Sequence, residues 1–483
     1  MNLLRPLTLL FLSTWVGAQG VTLVDGLQRL EAGNASLRAS DERVSAAAAT
    51  RQGSWGNFFP VVKLELSAQH LDRDLVLDLD PIRNALLQLE AADAATDQNL
   101  ATLMQTGAPL SDAGKALVTA GAYAKLDSLI PHFLDTVKAQ NHWLGSVQVY
   151  QPLFHGGRIW AANRVAVAKE AASAADRQKQ AADLRRDFAK LYVQGALLQS
   201  SLHLRRQALE GIEKHRDQAQ RLTEQGMVDR TAYLRAEMAV ADAQTALADD
   251  SVRLESVAVT LAQMSGQGAR MIPSDTFSAP PNKELSLSDM QQGAAERHPL
   301  LKSLEAQNEV VKQALHVRNA DFVPEIGAFG KYELNQSALS SLEPNWVVGV
   351  KGTITLFRGG GDYYAREAVL ANQREVQAMK AEAESALNAQ VERQYMAFQQ
   401  AKLRFSNQGR QVELAEENHR MSNARFAQGQ ATSLEVVDAW LALEKAQLER
   451  LSSAGDAWLA MLEAQWACGR STEFIDLWNG ARQ

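Results

Sequence analysis

The sequence predicts an α + β membrane protein built from two tandem structural repeats, each a strand hairpin joined to a long antiparallel helical hairpin. Three observations carry this. Landmark residues recur at one fixed spacing, segments of about ten residues alternate apolar and polar side chains, and proline-free stretches of about sixty residues carry an alternating three-four apolar spacing. With 483 residues, 46% hydrophobic and 22% charged, the chain is too apolar for disorder and long enough for a sizeable core. A net charge of -7 without basic runs argues against nucleic acid or anionic lipid as the main partner, and against acidic substrates.

Taken in order, the first segment is "MNLLRPLTLLFLSTWVGAQG". Arg5, the apolar residues 7–12 and the small residues near its end predict a signal peptide over residues 1–18, with Val16 and Ala18 at the recognition positions. Cys468 is the single cysteine, far from this site, so neither N-terminal lipidation nor an intrachain disulfide is expected. No later segment reaches the ~18 uninterrupted apolar residues of a membrane-spanning helix.

The repeat is read from paired landmarks. Leu153 and Phe154 match Leu356 and Phe357, Gly156 and Gly157 match Gly359 and Gly360, Tyr192 matches Tyr395, Gly226 matches Gly429 and Gly266 matches Gly469, all separated by 203. Upstream, Pro60 matches Pro324 and Leu37 matches Leu301 at 264, so the first copy holds 61 extra residues. The expected organisation is repeat 1 over 19–267 with an insert at about 71–142, a linker over 268–284, repeat 2 over 285–470 and a tail over 471–483.

Each copy opens with a helical segment, about 22–56 and about 285–320, and then alternates. Val62, Leu64, Leu66 and Ala68 oppose Lys63, Glu65, Ser67 and Gln69; Ile326, Ala328, Tyr332 and Leu334 oppose Glu325, Lys331, Glu333 and Asn335. The second strands repeat this, Val147 and Val149 in one copy, Val348, Val350 and Ile354 in the other. Aromatic residues (Phe58, Phe59, Trp143, Phe154, Trp346, Phe357) lie near strand ends, the arrangement of an outer-membrane strand. A soluble sandwich would alternate likewise. Four strands cannot close a transmembrane barrel, which needs about eight, so a barrel would be shared between copies of the chain.

After each glycine pair the chain turns helical. Leu184, Leu191 and Leu198 recur every seven, as do Phe188, Gly195, Leu202 and Leu209, and in the second copy Val391, Phe398, Phe405 and Val412. Such helices reach roughly 90 to 100 Å. The pattern breaks at Gly226 and Gly429 and resumes for about forty residues. Gly156, Gly157, Gly359 and Gly360 are placed where a strand hands over to a helix and the backbone turns sharply.

With its "PLFHGG" and "TLFRGGG" turns, its "EQGMVDRTAYLRAE" and "FAQGQATSLEVVDAW" tips and its repeat ends at Gly266 and Gly469, nearly the whole mature chain resembles the TolC-like outer-membrane factor family. The resemblance implies a homotrimer, with a twelve-stranded barrel continuous with a long periplasmic α-helical barrel. It also implies an exit duct of tripartite efflux pumps or type I secretion systems, spanning the outer membrane lipid and docking to a periplasmic adaptor protein and an inner-membrane transporter.

Covalent chemistry finds little support. The histidines, His132, His142, His203 and His215 among them, are scattered, no cysteine or carboxylate pair has metal-ligand spacing, and "RGGG" at residues 358–361 lacks the context of a phosphate loop. No enzyme activity, cofactor or metal is expected. Near the second tip, Thr432 and Glu435 fit a capping box, and Asp438 lies one turn on, sharing a face with Glu435. The resemblance implies that Glu435 and Asp438 form a cation-attracting periplasmic constriction; the first copy has Ala232 and Arg235 there. Ala431 stands where family members carry a latching arginine, which leaves the closure of the mouth open. In the insert, Ile82, Leu86 and Leu89 suggest a helix, as a cap, a cargo contact or a plain surface loop. Against the exit duct stand a periplasmic coiled-coil adaptor, which would have one hairpin flanked by compact β-domains, and a periplasmic enzyme, which would need a catalytic set.

Overall fold

The computed structural model describes residues 19–280, 282–340 and 343–480; the expected signal peptide lies outside them. The chain divides into two compact units. One holds the described residues up to Ser54, Trp160–Arg318 and those from Gly361 onward, the other Trp55–Ile159 and Asn319–Gly360.

Elements run through both units in chain order. β1 (Gln19–Val21), α1 (Leu23–Gly33) and α2 (Ala35–Ser54) are followed by β2 (Val61–His70) and β3 (Leu75–Asp78). Next come α3 (Asp80–Thr106), α4 (Asp112–Leu129), β4 (Leu134–Lys138) and β5 (Asn141–His155). The first long hairpin is α5 (Arg158–Glu224) and α6 (Arg230–Met264), trailed by β6 (Met271–Pro273). The second copy repeats the order with α7 (Leu287–Arg297), α8 (Pro299–Asn319), β7 (Glu325–Glu333), β8 (Trp346–Thr353), α9 (Gly361–Ala427) and α10 (Ser433–Ala467), and ends in α11 (Ser471–Gly480). The long helices α5 and α9 each have 67 residues and α6 and α10 each have 35, so the two copies match residue for residue at the spacing of the sequence landmarks. At 1.5 Å per residue, 67 residues make about 100 Å.

In the second unit, β2, β5, β7 and β8 form one antiparallel sheet in that order, so the strand closing the first copy's hairpin pairs with the strand opening the second's. The register carries the alternation across all four strands. Leu64 faces Val147, which faces Tyr332, which faces Trp346; Val62 faces Val149, which faces Gly330, which faces Val348. The other face sets Lys63 against Gln148 and Lys331, and Glu65 against Ser146 and Glu333. Gln148 donates to Glu65 at 2.6 Å and Lys331 pairs with Glu333 at 2.5 Å. A bulge bends β5 between Pro152 and Phe154, where proline has no N–H to give the ladder. The fourth strand stops at Thr353, short of the expected Ile354, because its partner begins at Glu325 directly after Pro324. The connection from β7 to β8 covers twelve residues.

The insert is folded rather than a plain surface loop. β3 and β4 pair as a two-stranded ribbon beyond the β2 and β5 ladder, and α3 and α4 stand on it as a helical hairpin. The helix expected over residues 82–89 is present, but its buried side is Arg83, Leu87, Ala91 and Ala95, while Ile82, Leu86 and Leu89 face outward. Arg83 decides this: its guanidinium donates to the carbonyls of Asp127, Ile130 and Pro131 and pairs with the Asp127 carboxylate at 2.8 Å, satisfying the end of α4.

The first unit has its core where α1, α5, α6, α10 and α11 meet around Leu27, Leu30, Phe188, Tyr192, Leu261, Trp458, Phe474 and Trp478. The segments between and after the copies are packed into it. β6 pairs in parallel with β1, and the buried Asp275 carboxylate accepts from Leu23 N and Trp478 Nε1, both at 3.0 Å. Tyr192 Oη donates to Val21 O at 2.7 Å and Trp458 Nε1 to Ser278 O at 2.9 Å. Buried polar groups thus find partners while the aromatic rings fill the centre. Of the heptad positions, Phe188, Gly195, Leu202, Val391, Phe398 and Val412 are buried. Cys468, buried at the end of α10, has its thiol pushed up by burial.

Candidate functional site

Three places hold the residues singled out by sequence: the sheet, the strand-to-helix junctions and the helical tips. On the sheet, Val62, Leu64, Leu66, Val348 and Val350 are each more than three-fifths exposed in the single chain. Among the described residues, β2 and β8 each pair on one side only. An outward apolar face over a polar inner one, with two open edges, satisfies the bilayer only when the edges pair with further strands. No described helix is long and apolar enough to cross a membrane.

At the junctions, Gly156, Gly157, Gly359 and Gly360 have φ of 59°, 79°, 61° and 79°. L side chains are strained there, and a Cβ on Gly156 would also fall 2.6 Å from Val323 Cβ. Arg158 pairs with Asp321 and Glu325, each at 3.4 Å, fixing the start of α5.

At the tips, Gly226 and Gly429 both have φ of 69°. In the first, Met227 N donates to Leu222 O at 2.9 Å, and in the second Gln430 N donates to Arg425 O at 2.8 Å, so both helices end in the same left-handed turn. Asp229 caps α6 by accepting from Thr231 N at 3.3 Å. Thr432 caps α10: its hydroxyl accepts from Glu435 N at 3.3 Å and Glu435 accepts from Thr432 N at 3.2 Å, a complete capping box. Glu435 also lies 3.6 Å from Arg425, which donates to Gln430 O at 3.1 Å. Asp438 is exposed one turn on. Arg425 had no sequence signal beyond being basic in the last turn of α9. Ala431 is half-buried beside this clamp.

Behind the tip, His215 is buried under Phe426, with its ring Nε2 3.0 Å from Ser433 Oγ. Burial, then the charge of His419, holds its pKa down at about 4. A cavity of about 270 Å³ lined by Gly211, His215, His419, Val436 and Trp440 adjoins it. Among the described residues no three His, Cys, Asp or Glu side chains group to hold a metal ion.

The model of the family described as outer membrane efflux protein matches residues 82–267 and 291–462. No curated protein matches the chain. Among solved structures, the outer membrane protein VceC of Vibrio cholerae is similar at a TM-score of 0.68 and 15% identity, covering 92% of this chain and 96% of that one. The CmeC outer membrane channel of Campylobacter jejuni is similar at 0.66 and 11%, covering 95% and 90%. The MtrE outer membrane channel of Neisseria gonorrhoeae, in its open state, is similar at 0.65 and 15%, covering 93% and 89%. At these identities the likeness is one of fold.

Proposed function

This chain belongs to the outer membrane efflux protein family, and on that premise we propose that it is the outer-membrane exit duct of a tripartite efflux pump or type I secretion system. It is a passive outer-membrane channel extending into the periplasm, not an enzyme. The finer reading is a homotrimer in which β8 of each copy pairs with β2 of the next, giving a twelve-stranded barrel, and whose periplasmic tips meet an adaptor and an inner-membrane transporter. One observation carries it: a four-stranded sheet with an exposed apolar face and both edges unpaired among the described residues. Three such sheets make twelve strands, within the range of closed outer-membrane barrels. Glu435 and Asp438, repeated three times, are proposed as the periplasmic constriction. A coiled-coil adaptor is not favoured, since two hairpins joined to one amphipathic sheet leave, among the described residues, no compact β-domain to flank them.

The test is size and conductance. Detergent-solubilised protein from outer membranes should have three times the chain mass and form ion-conducting pores in a planar bilayer. A detergent-free soluble monomer would overturn the reading. Sensitivity to toxic compounds in a deletion strain, measured beside its secreted proteins, separates efflux from secretion.

A further inference from the structure

The outward side of α3 carries an unused interface. Ile82, Leu86, Leu89, Asp93, Thr96, Leu100 and Leu103 follow one another at steps of four and three, the spacing of a coiled-coil seam, and all are exposed. Ile82 is 58% exposed, Leu89 61% and Leu100 50%. This stripe is not the one that meets α4, because Arg83, Leu87, Ala91 and Ala95 already serve that contact. Arg83 locks the end of α4 to α3 through the carbonyls of Asp127, Ile130 and Pro131, so the seam cannot turn inward without stranding a buried guanidinium. Knobs at a three-four spacing fit the holes of another helix better than a lipid surface or a flat sheet.

We propose that this seam packs against the same seam in the neighbouring copies of the chain, forming a helical collar at the outer end of the barrel; the inference rests on the trimeric reading. A second copy is the occupant because the insert is continuous with the edge through which copies would meet. β2 is an outer strand of the sheet, its ladder runs to His70, Leu71 N donates to Gln140 O at 2.8 Å, and the ribbon of β3 and β4 carries straight on to α3. Lys138 on that ribbon pairs with Glu343 at 3.3 Å, tying the insert to the connection between β7 and β8, so it is held at both hairpins of its own sheet. Facing the three-fold axis, the like seams of the three copies would meet in parallel as a three-stranded coil. Asp93 and Thr96 form a polar layer between two apolar patches, a device that sets register at a cost in stability.

Cysteine cross-linking in outer membranes tests this on the full-length protein, because the native Cys468 is buried and does not compete. Leu89→Cys should give a disulfide-linked dimer on a denaturing, non-reducing gel after mild oxidation. Gln88→Cys, exposed but off the seam, should not. Adding Leu86→Glu and Leu100→Glu to Leu89→Cys should abolish the band while the solubilised protein keeps its trimer mass. A Leu89→Cys trimer that stays unlinked, and whose thiol reacts freely with maleimide on cells, leaves the trimer standing and overturns the collar. A linked dimer whose solubilised, undenatured species exceeds three chains assigns the seam to contacts between trimers, and a link to another polypeptide assigns it to a partner; both overturn the collar. A protein that is not trimeric overturns the underlying reading itself.

Discussion

Glu435 shows how one side chain at the second tip divides its capacity. It completes the capping box with Thr432 and faces Arg425 at 3.6 Å, so part of its charge is already answered within its own chain. Asp438 has no such engagement among the contacts of the cap and stands exposed. The capping box was legible in the sequence, because Thr-x-x-Glu after a glycine turn is a local signal. The Arg425 clamp was not: it is a contact from the preceding helix, and one basic residue in a last turn carries no information about what it will meet. His215 is similar, scattered in sequence yet buried in space. Its imidazole is held neutral because burial, and then the charge of His419, disfavour the protonated form, setting its pKa at about 4 against 6.5 for the free side chain. The opened tip therefore binds more protons than the closed one between these values. Its packing should be fully stable above pH 6.5 and should weaken as pH falls toward 4. Amide hydrogen exchange at residues 430–436, corrected for intrinsic rates, should accelerate across that window. His215→Gln should flatten the change; an unaltered slope would move it to another group, first His419 on α9.

Elements differ in how much of them local pattern can reveal. The two long hairpins are legible because a heptad over residues 184–209 and 391–412, set in proline-free stretches that end at a glycine turn, marks a long helix. The strands are legible as faces, but their ends follow from partners: β8 stops at Thr353 because β7 starts after Pro324, and that is long-range information. The insert was half legible. Its apolar stripe at 82, 86 and 89 marks a helix, yet the stripe points outward and an arginine occupies the inner face, against the ordinary rule that charge is exposed. The fold of the insert suggests that the barrel does not depend on it. The ladder of β2 and β5 is already complete from Val61 to His70, and β7 and β8 are joined by only twelve residues, with no such hairpin among the described ones. Replacing residues 72–140 with a short turn should leave trimers and pores intact on a semi-native gel and in bilayer recordings. The shortened trimer should dissociate at a lower temperature if the α3 collar adds contacts. Loss of trimers altogether would show that the insert belongs to the barrel's own folding.

At the scale of the whole molecule, function arises from symmetry that no single chain contains. Each chain supplies four strands and one acidic tip, whereas the first copy has Ala232 and Arg235 at the positions of Glu435 and Asp438. Three-fold repetition would set three acidic tips and three neutral-to-basic ones alternately around one axis, with three Glu435 and three Asp438 carboxylates at the mouth. Acidic rings in a narrow pore attract cations and exclude anions. In a planar bilayer the wild-type pore should be of small conductance, cation-selective and blocked by multivalent cations from the periplasmic side. Because Arg425 offsets part of the Glu435 charge, Asp438→Ala should weaken block more than Glu435→Ala does. The double variant should lose most of both properties. Its fold should survive, since Thr432 still caps α10 and a cap interaction is worth about 1 kcal/mol, small beside the buried helical core. Selectivity and block that persist unchanged in the double variant would place the constriction elsewhere and leave Glu435 with capping as its whole role.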